Sequence, residues 1–165
     1  MKYTSQSSFQ TRYYRLSLYS SVHHFVLRGT ILNGPLRTSF LPLTAILLKK
    51  YVPKIFMCQC YNEDNLPFSQ ELQNTETAHL LEHILLEFLC EEKLLHGADE
   101  AVFDGVTRWY KDSPQHFEIL ISRKKSDQLF FATALERGLF VFDQIIASYD
   151  TFLQTRIAYR LSAQT

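Results

Sequence analysis

The sequence predicts an α+β domain: a small, mostly antiparallel sheet with about three helices packed on one side. Three observations predict it. Residues 12–20 alternate in part, with Tyr14, Leu16 and Leu18 on one face and Arg15 and Ser17 on the other, as a half-buried strand does. Residues 105–110 and 116–122 read as two further strands, and Lys111-Asp112-Ser113-Pro114 between them has the composition of a turn. Apolar residues recur at helical spacing in three longer stretches, 40–52, 68–93 and 127–149. Strands at both ends of the domain, with helices between and after them, fit helices segregated to one face of an antiparallel sheet.

The elements follow in order. Residues 1–10 are rich in Ser and Gln and read as a frayed, disordered terminus, with a single domain over 11–150. Residues 22–28 suggest a second strand, and Gly29, Gly34 and Pro35 mark a loop over 29–35. In the helix at 40–52, Leu41, Ala45, Leu48 and Val52 form the apolar stripe. Lys49 and Lys50 complement the dipole in the last turn, and Pro53 stops the helix. Residues 55–61 read as a short strand or extended segment, with Cys58 and Cys60 on one face, and 62–67 as a polar loop. The next helix starts at Phe68 or Thr75, with Thr75 or Thr77 as a cap, and runs to about Lys93, with Gly97 as terminator. Ser126 or Asp127 caps the last helix, whose apolar side carries Phe130, Phe131, Leu135, Leu139, Phe142 and Ile146. The tail over 151–165 keeps a helical pattern through Phe152, Ile157 and Leu161.

Composition narrows the function classes. The 165 residues carry 17 basic and 17 acidic side chains, so there is no basic excess of the kind a nucleic-acid binder shows. The short cluster Arg123-Lys124-Lys125 reads as a solvated turn. Hydrophobic residues make up 46% of the chain, an ordinary globular share, and no apolar run reaches membrane-spanning length. The polar start argues against a secretory signal, so the expected location is the cytoplasm, with reduced cysteines; Cys58 and Cys90 are expected to be buried.

The chemistry concentrates at His79-Leu80-Leu81-Glu82-His83, the inverzincin pattern in which a glutamate precedes the second histidine. On a helix, His79 and His83 stand one turn apart and can converge on one Zn²⁺, while Glu82 can act as the general base. Leu80, Leu81, Ile84, Leu85, Phe88 and Leu89 occupy the buried arc. His79, Glu82 and His83 fall on the opposite arc with Glu87 and Cys90. A catalytic zinc needs a third protein ligand. The candidates are Glu87, Asp127 and Glu136, with Asp143, His116 and Cys90 further options. A plain pitrilysin-type peptidase is not expected. Its third ligand is a glutamate far downstream, its fold is much larger, and residues 151–165 here contain no acid. His23 and His24 are adjacent and on a strand would point to opposite faces.

Residues 35–142 resemble the N-terminal domain of cyanophycin synthetases, which polymerise aspartate and arginine. The resemblance is carried by the helix Ala78-His79-Leu80-Leu81-Glu82-His83-Ile84-Leu85-Leu86-Glu87-Phe88, then by Gly105-Val106-Thr107-Arg108, Pro114 and Phe117-Glu118-Ile119-Leu120-Ile121. The sequence departs from that pattern at 65–71 and at Ala78, where glycine is usual. The resemblance implies a metallo-hydrolase that trims an Asp/Arg-type polymer at an amide or isopeptide bond. His79 and His83 would be zinc ligands, Glu82 the base, and Thr107 and Arg108 substrate-binding residues, with Arg108 clamping a carboxylate. The alternative it implies is a non-catalytic polymer- or protein-binding module, or an accessory subunit of a synthetase. A peptide-like polymer or small peptide is the expected partner, with a homo-oligomer or a synthetase as a further partner. No Gly-rich phosphate loop occurs, so ATP-driven synthesis is not expected.

Overall fold

The computed structural model of the chain describes residues 4–61 and 65–162, with side chains for 7–61 and 65–156. Five strands form one sheet: Thr4–Gln10 (β1), Tyr14–Ser20 (β2), His24–Ile31 (β3), Gly105–Tyr110 (β4) and Ser113–Ser122 (β5). Their spatial order is β1-β2-β3-β5-β4 and every neighbouring pair is antiparallel. Four α-helices accompany it: Thr44–Tyr51 (α1), Phe68–Glu71 (α2), Thr77–Leu95 (α3) and Gln128–Ser162 (α4). The fold is α+β, as the sequence predicts. The long connection from β3 carries α1 to α3 across the sheet, so that β4 returns as an outer strand.

The helices cover one face. Leu16, Phe25, Leu27, Ile31, Phe117, Ile119 and Ile121 are all buried beneath them. Tyr14 packs on Phe142 and Phe25 stacks on Phe131, which ties α4 to the sheet. Arg15, Arg28 and Arg108 leave the opposite face, where Arg28 Nε donates to Glu118 Oε2 at 2.8 Å. The residues read as apolar stripes are the residues that bury the helices and strands, except in α1, where Ala45 is exposed and Thr44 is buried in its place.

Several boundaries differ from the sequence reading, each for a physical reason. Residues 4–10 are not frayed. They form β1 on the sheet edge, where the ladder to β2 satisfies the backbone and a polar composition is no obstacle. Gly29 does not open a loop but lies inside β3. The Phe117 ring sits directly over it, so a Cβ there would fall 2.1 Å from Phe117 Cζ. Substituting Gly29→Ala should therefore cost about 1–3 kcal/mol of stability, read by urea denaturation. An unchanged midpoint would show that Phe117 gives way freely.

Residues Pro53–Met57 form a turn of 3-10 helix rather than a strand, and only then does the chain extend, with Gln59 bridging to Pro67. The histidine helix is preceded by the separate α2. Thr38 holds the break open: its N–H donates to Thr75 O at 2.9 Å and its hydroxyl to Leu72 O at 2.8 Å. Neither threonine caps α3 by its side chain. The Thr77 N–H and hydroxyl instead donate to the carbonyls of Leu36 and Pro35. Gly97 ends α3 in the left-handed region at φ 86°, as expected. Lys124 N–H donates to Asp127 Oδ2 at 2.6 Å, so Asp127 caps the approach to α4. α4 runs on without a break past Asp150, whose carboxylate is held by Tyr13 and Arg12.

Candidate metal centre

α3 is the platform of the site because it is covered nearly all round. Leu80, Leu81, Ile84, Leu85 and Leu89 are fully buried, as their arc predicts. The arc expected to face solvent is buried too: Glu82 and His83 are each only 5% exposed. The reason is a second cover, made by β4, by α2 and by the extended segment 58–61. Phe68 of α2 stacks flat on His83, with ring centroids 3.9 Å apart. Two ionisable side chains thus stand in a largely dry setting, and a fold keeps such groups only where something compensates them.

Thr107 hydrogen-bonds Glu82, and Cys60 stands beside the histidines. The Cys60 Sγ lies 3.4 Å from His83 Nε2 and 4.0 Å from His79 Nε2, and the two Nε2 atoms are 3.1 Å apart. These are the dimensions of a metal's ligand face. With Zn–S of about 2.3 Å and Zn–N of about 2.0–2.1 Å, tetrahedral angles place two nitrogens roughly 3.3 Å apart and a sulfur roughly 3.6 Å from each. Cys60, His79 and His83 form a group that can hold a metal ion, and among the described residues no other group of three meets that geometry.

The surroundings set the histidines for that task. Thr75 Oγ1 is 2.7 Å from His79 Nδ1, so a ring that uses Nε2 as donor to a metal carries its proton on Nδ1 and gives it to Thr75. His83 Nδ1 is buried without a partner. Burial lowers the His79 pKa, and it drives His83 down to about 3, with His79 adding to the effect. Both rings are thereby neutral, the form that ligates metals. Burial pushes the metal-free Cys60 thiol up to about 12, and the carboxylates of Glu71 and Glu82 add to this. Proton loss from that thiol is therefore coupled to the arrival of a cation.

Glu82 completes the site. Burial raises it to about 7, against the lowering effect of the Thr107 hydroxyl, which donates to Glu82 Oε2 at 2.5 Å. Its other oxygen rests against Gly105, where a Cβ would lie 2.6 Å from Oε1. Only glycine leaves the carboxylate that space. Cys60, His79, Glu82 and His83 all line one cleft of about 700 Å³, flanked by Gln59 and Tyr61 on one side and by β4 on the other. Glu76, which pairs with Arg37 at 3.1 Å, and Asp104 add acidic groups to its lining, and among the described lining residues there is no lysine or arginine.

The structure corrects the expected ligand set. None of Glu87, Asp127, Glu136, Asp143 or His116 joins the histidines. Glu87 Oε1 accepts from the Cys58 thiol at 3.0 Å. Asp127 caps the approach to α4 and pairs with Lys93. Glu136 is exposed on α4, Asp143 accepts from the Tyr14 hydroxyl, and His116 lies on β5. Arg108 is not a clamp, because alternation along β4 turns it to the open face while Thr107 and Trp109 face the cleft. Cys58 and Cys60 share a face as expected: both turn to α3, Cys60 to His83 and Cys58 to Glu87 one turn further on, with Gln59 exposed between them, although the turn Pro53–Met57 replaces the start of the expected strand. Cys58 is half-buried and turned towards Glu87, and Cys90 is likewise half-buried rather than fully buried. The missed ligand had left a signal: a cysteine in an odd set of three, upstream of a paired-histidine helix.

No family model matches the chain, and neither a curated protein nor a solved structure does. Fold and site therefore define the class on their own: an α+β domain with a buried Cys/His/His group able to take a metal ion. Among the described residues no helix is long and apolar enough to cross a membrane.

Proposed function

We propose that the chain is a zinc-dependent hydrolase of amide or isopeptide bonds, with Cys60, His79 and His83 as ligands and Glu82 as general base. The observation that carries it is the donor triangle of 3.1, 3.4 and 4.0 Å beside a buried carboxylate, in a cleft of about 700 Å³. One thiolate with two imidazoles suits zinc better than magnesium or calcium, which prefer oxygen. Three protein ligands are the catalytic number, since they leave one position for water or substrate. Bound there, zinc supplies Lewis-acid polarisation of a water and of the scissile carbonyl.

The remaining steps belong to the chain's own residues. Glu82, poised near neutral pH, takes the proton of the attacking water and returns it to the leaving amine. Thr107 fixes the orientation of that carboxylate, and Thr75 fixes the His79 ring. Phe68 excludes water from the far side of His83. The resemblance to the N-terminal domain of cyanophycin synthetases supplies the first substrates to try, Asp/Arg-type polymers and short peptides. The free thiols fit a reducing compartment such as the cytoplasm.

One contact favours a second reading. Cys60 Sγ at 3.4 Å from His83 Nε2 is the spacing of a thiol nucleophile and its base. The electrostatics oppose it, because burial raises the thiol and lowers the imidazole, the reverse of an activated ion pair. A single experiment separates the readings. Zinc-loaded wild type and Glu82→Gln are compared for metal content by elemental analysis and for turnover of an Asp/Arg polymer and a dipeptide library. The variant is expected to keep one zinc per chain and lose turnover. Equal turnover in both would remove Glu82 from the mechanism. Turnover by metal-free protein that iodoacetamide abolishes would establish the thiol reading. Metal without turnover in either protein would favour the binding module or accessory subunit.

A further inference from the structure

β4 is an outer strand, and its unpaired side borders the cleft. In an antiparallel pair, the N–H and C=O of each residue point the same way, and successive residues alternate between the partner and the outside. The phase on β4 is set by Ser122, whose N–H donates to Asp104 O at 2.9 Å. Counting from that bond, Val106 and Arg108 direct their backbone groups to β5, opposite Leu120 and Glu118. Gly105, Thr107 and Trp109 direct theirs outward. The same three residues line the cleft by their side-chain positions. Among the described residues, no backbone bond from these three reaches anything outside the sheet.

We propose that the substrate binds as an extended peptide that adds a strand to the free edge of β4, paired with the outward groups of Gly105, Thr107 and Trp109. The choice of a peptide as ligand rests on the hydrolase reading; the pairing rests on the strand itself. A peptide hydrogen-bonded to this edge runs along the wall of the cleft that holds Cys60, His79 and His83. The edge sets its register, because every second residue of the peptide must face β4. Recognition is then mainly of backbone, and side-chain preference comes from the lining. Of the acidic groups there, Glu76 is paired with Arg37 at 3.1 Å, while Asp104 has no lysine or arginine beside it among the described lining residues, so Asp104 disfavours peptides rich in carboxylates. An exposed edge is a liability that proteins usually blunt, and occupancy by a ligand is one reason to keep it open.

The chain's single tryptophan, Trp109, lies on this strand and provides the readout. The probes are capped pentapeptides of Ala, Val, Thr and Lys, titrated into zinc-loaded Glu82→Gln protein while Trp109 emission is followed. Each peptide is compared with two versions that are N-methylated at alternate residues, one set in each phase. The expected result is that one phase of methylation weakens binding at least tenfold and the other changes it less than twofold, with Thr107→Val protein, which keeps its backbone, showing the same alternation. A glutamate-rich counterpart should bind at least tenfold more weakly than the lysine-containing probe. Equal loss in both phases, or no emission change with any probe up to millimolar concentration, overturns the proposal. So does self-association of the chain that the peptides fail to displace, since a second copy would then hold the edge. Zinc content is measured on the same samples. Zinc with no alternation leaves the hydrolase reading intact and removes the edge, while alternation without zinc removes the metal and keeps the edge.

Discussion

Cys60→Ser protein is expected to fold as wild type does and to hold zinc at least about 100-fold more weakly, with His79→Ala and His83→Ala losing at least as much. Sulfur to oxygen is a small change in volume, so the buried position next to His83 and Phe68 tolerates it. As a ligand the change is large, because a serine hydroxyl does not deprotonate as a thiol does when it meets zinc. Binding at sites with protein thiolates and imidazoles amounts to roughly 10–16 kcal/mol, and losing one of three ligands removes several of those. The comparison that gives the result its meaning is Glu87→Gln and Glu136→Gln, which should retain one zinc per chain. Asp127→Asn should also retain it, while losing stability through the contact to Lys124. Competition against a chromophoric chelator measures all six. Full zinc affinity in Cys60→Ser, or its loss in Glu87→Gln, would mean that the triangle of donors is not the centre.

The same residues show why the fold was readable and the centre only half so. Periodicity carries burial, so Leu16, Leu27, Ile119 and Ile121 fall where alternation puts them. The i, i+4 spacing of His79 and His83 is fixed by helix geometry alone. Cys60 reaches them across the fold, from a segment whose direction depends on the turn Pro53–Met57 and on the bridge from Gln59 to Pro67. No local pattern encodes that approach. Gly29 misled for a related reason: its role is to admit the Phe117 ring, a partner far along the chain, and the sequence alone shows only a turn-forming residue. Alternation makes the neighbours Arg108 and Thr107 opposites on a strand, but it does not say which of them faces the cleft. The phase of β4 relative to α3 decides which one enters the cleft, and that phase is tertiary. β1 is the plainest case, since a polar edge strand and a frayed terminus have the same composition until β2 is there to pair with.

Acid titration of the metal-free protein tests the buried pair Glu82 and His83, whose effects on stability oppose one another. Glu82 is raised from 4.5 to about 7, so its contribution is fully present below pH 4.5 and is lost as pH rises through 7. His83 is lowered from 6.5 to about 3, so its contribution is fully present above pH 6.5 and is lost as pH falls towards 3. Between pH 4.5 and 6.5 both act, each at about 1.4 kcal/mol per pH unit and with opposite sign, and they cancel. Glu82→Gln removes one side of the balance. Relative to wild type, the variant should lose roughly 3 kcal/mol of unfolding free energy between pH 6.5 and 4.5, measured by urea denaturation of chelator-treated protein. His79, also lowered by burial, tilts both curves in the acid-labile direction and drops out of the difference. Parallel curves for the two proteins would show that folding does not raise the Glu82 pKa. A diverging pair would show instead that the fold keeps a protonatable carboxyl beside two neutral imidazoles, at a free-energy cost that grows from pH 4.5 to about 7 and that a cation joining the donors would offset.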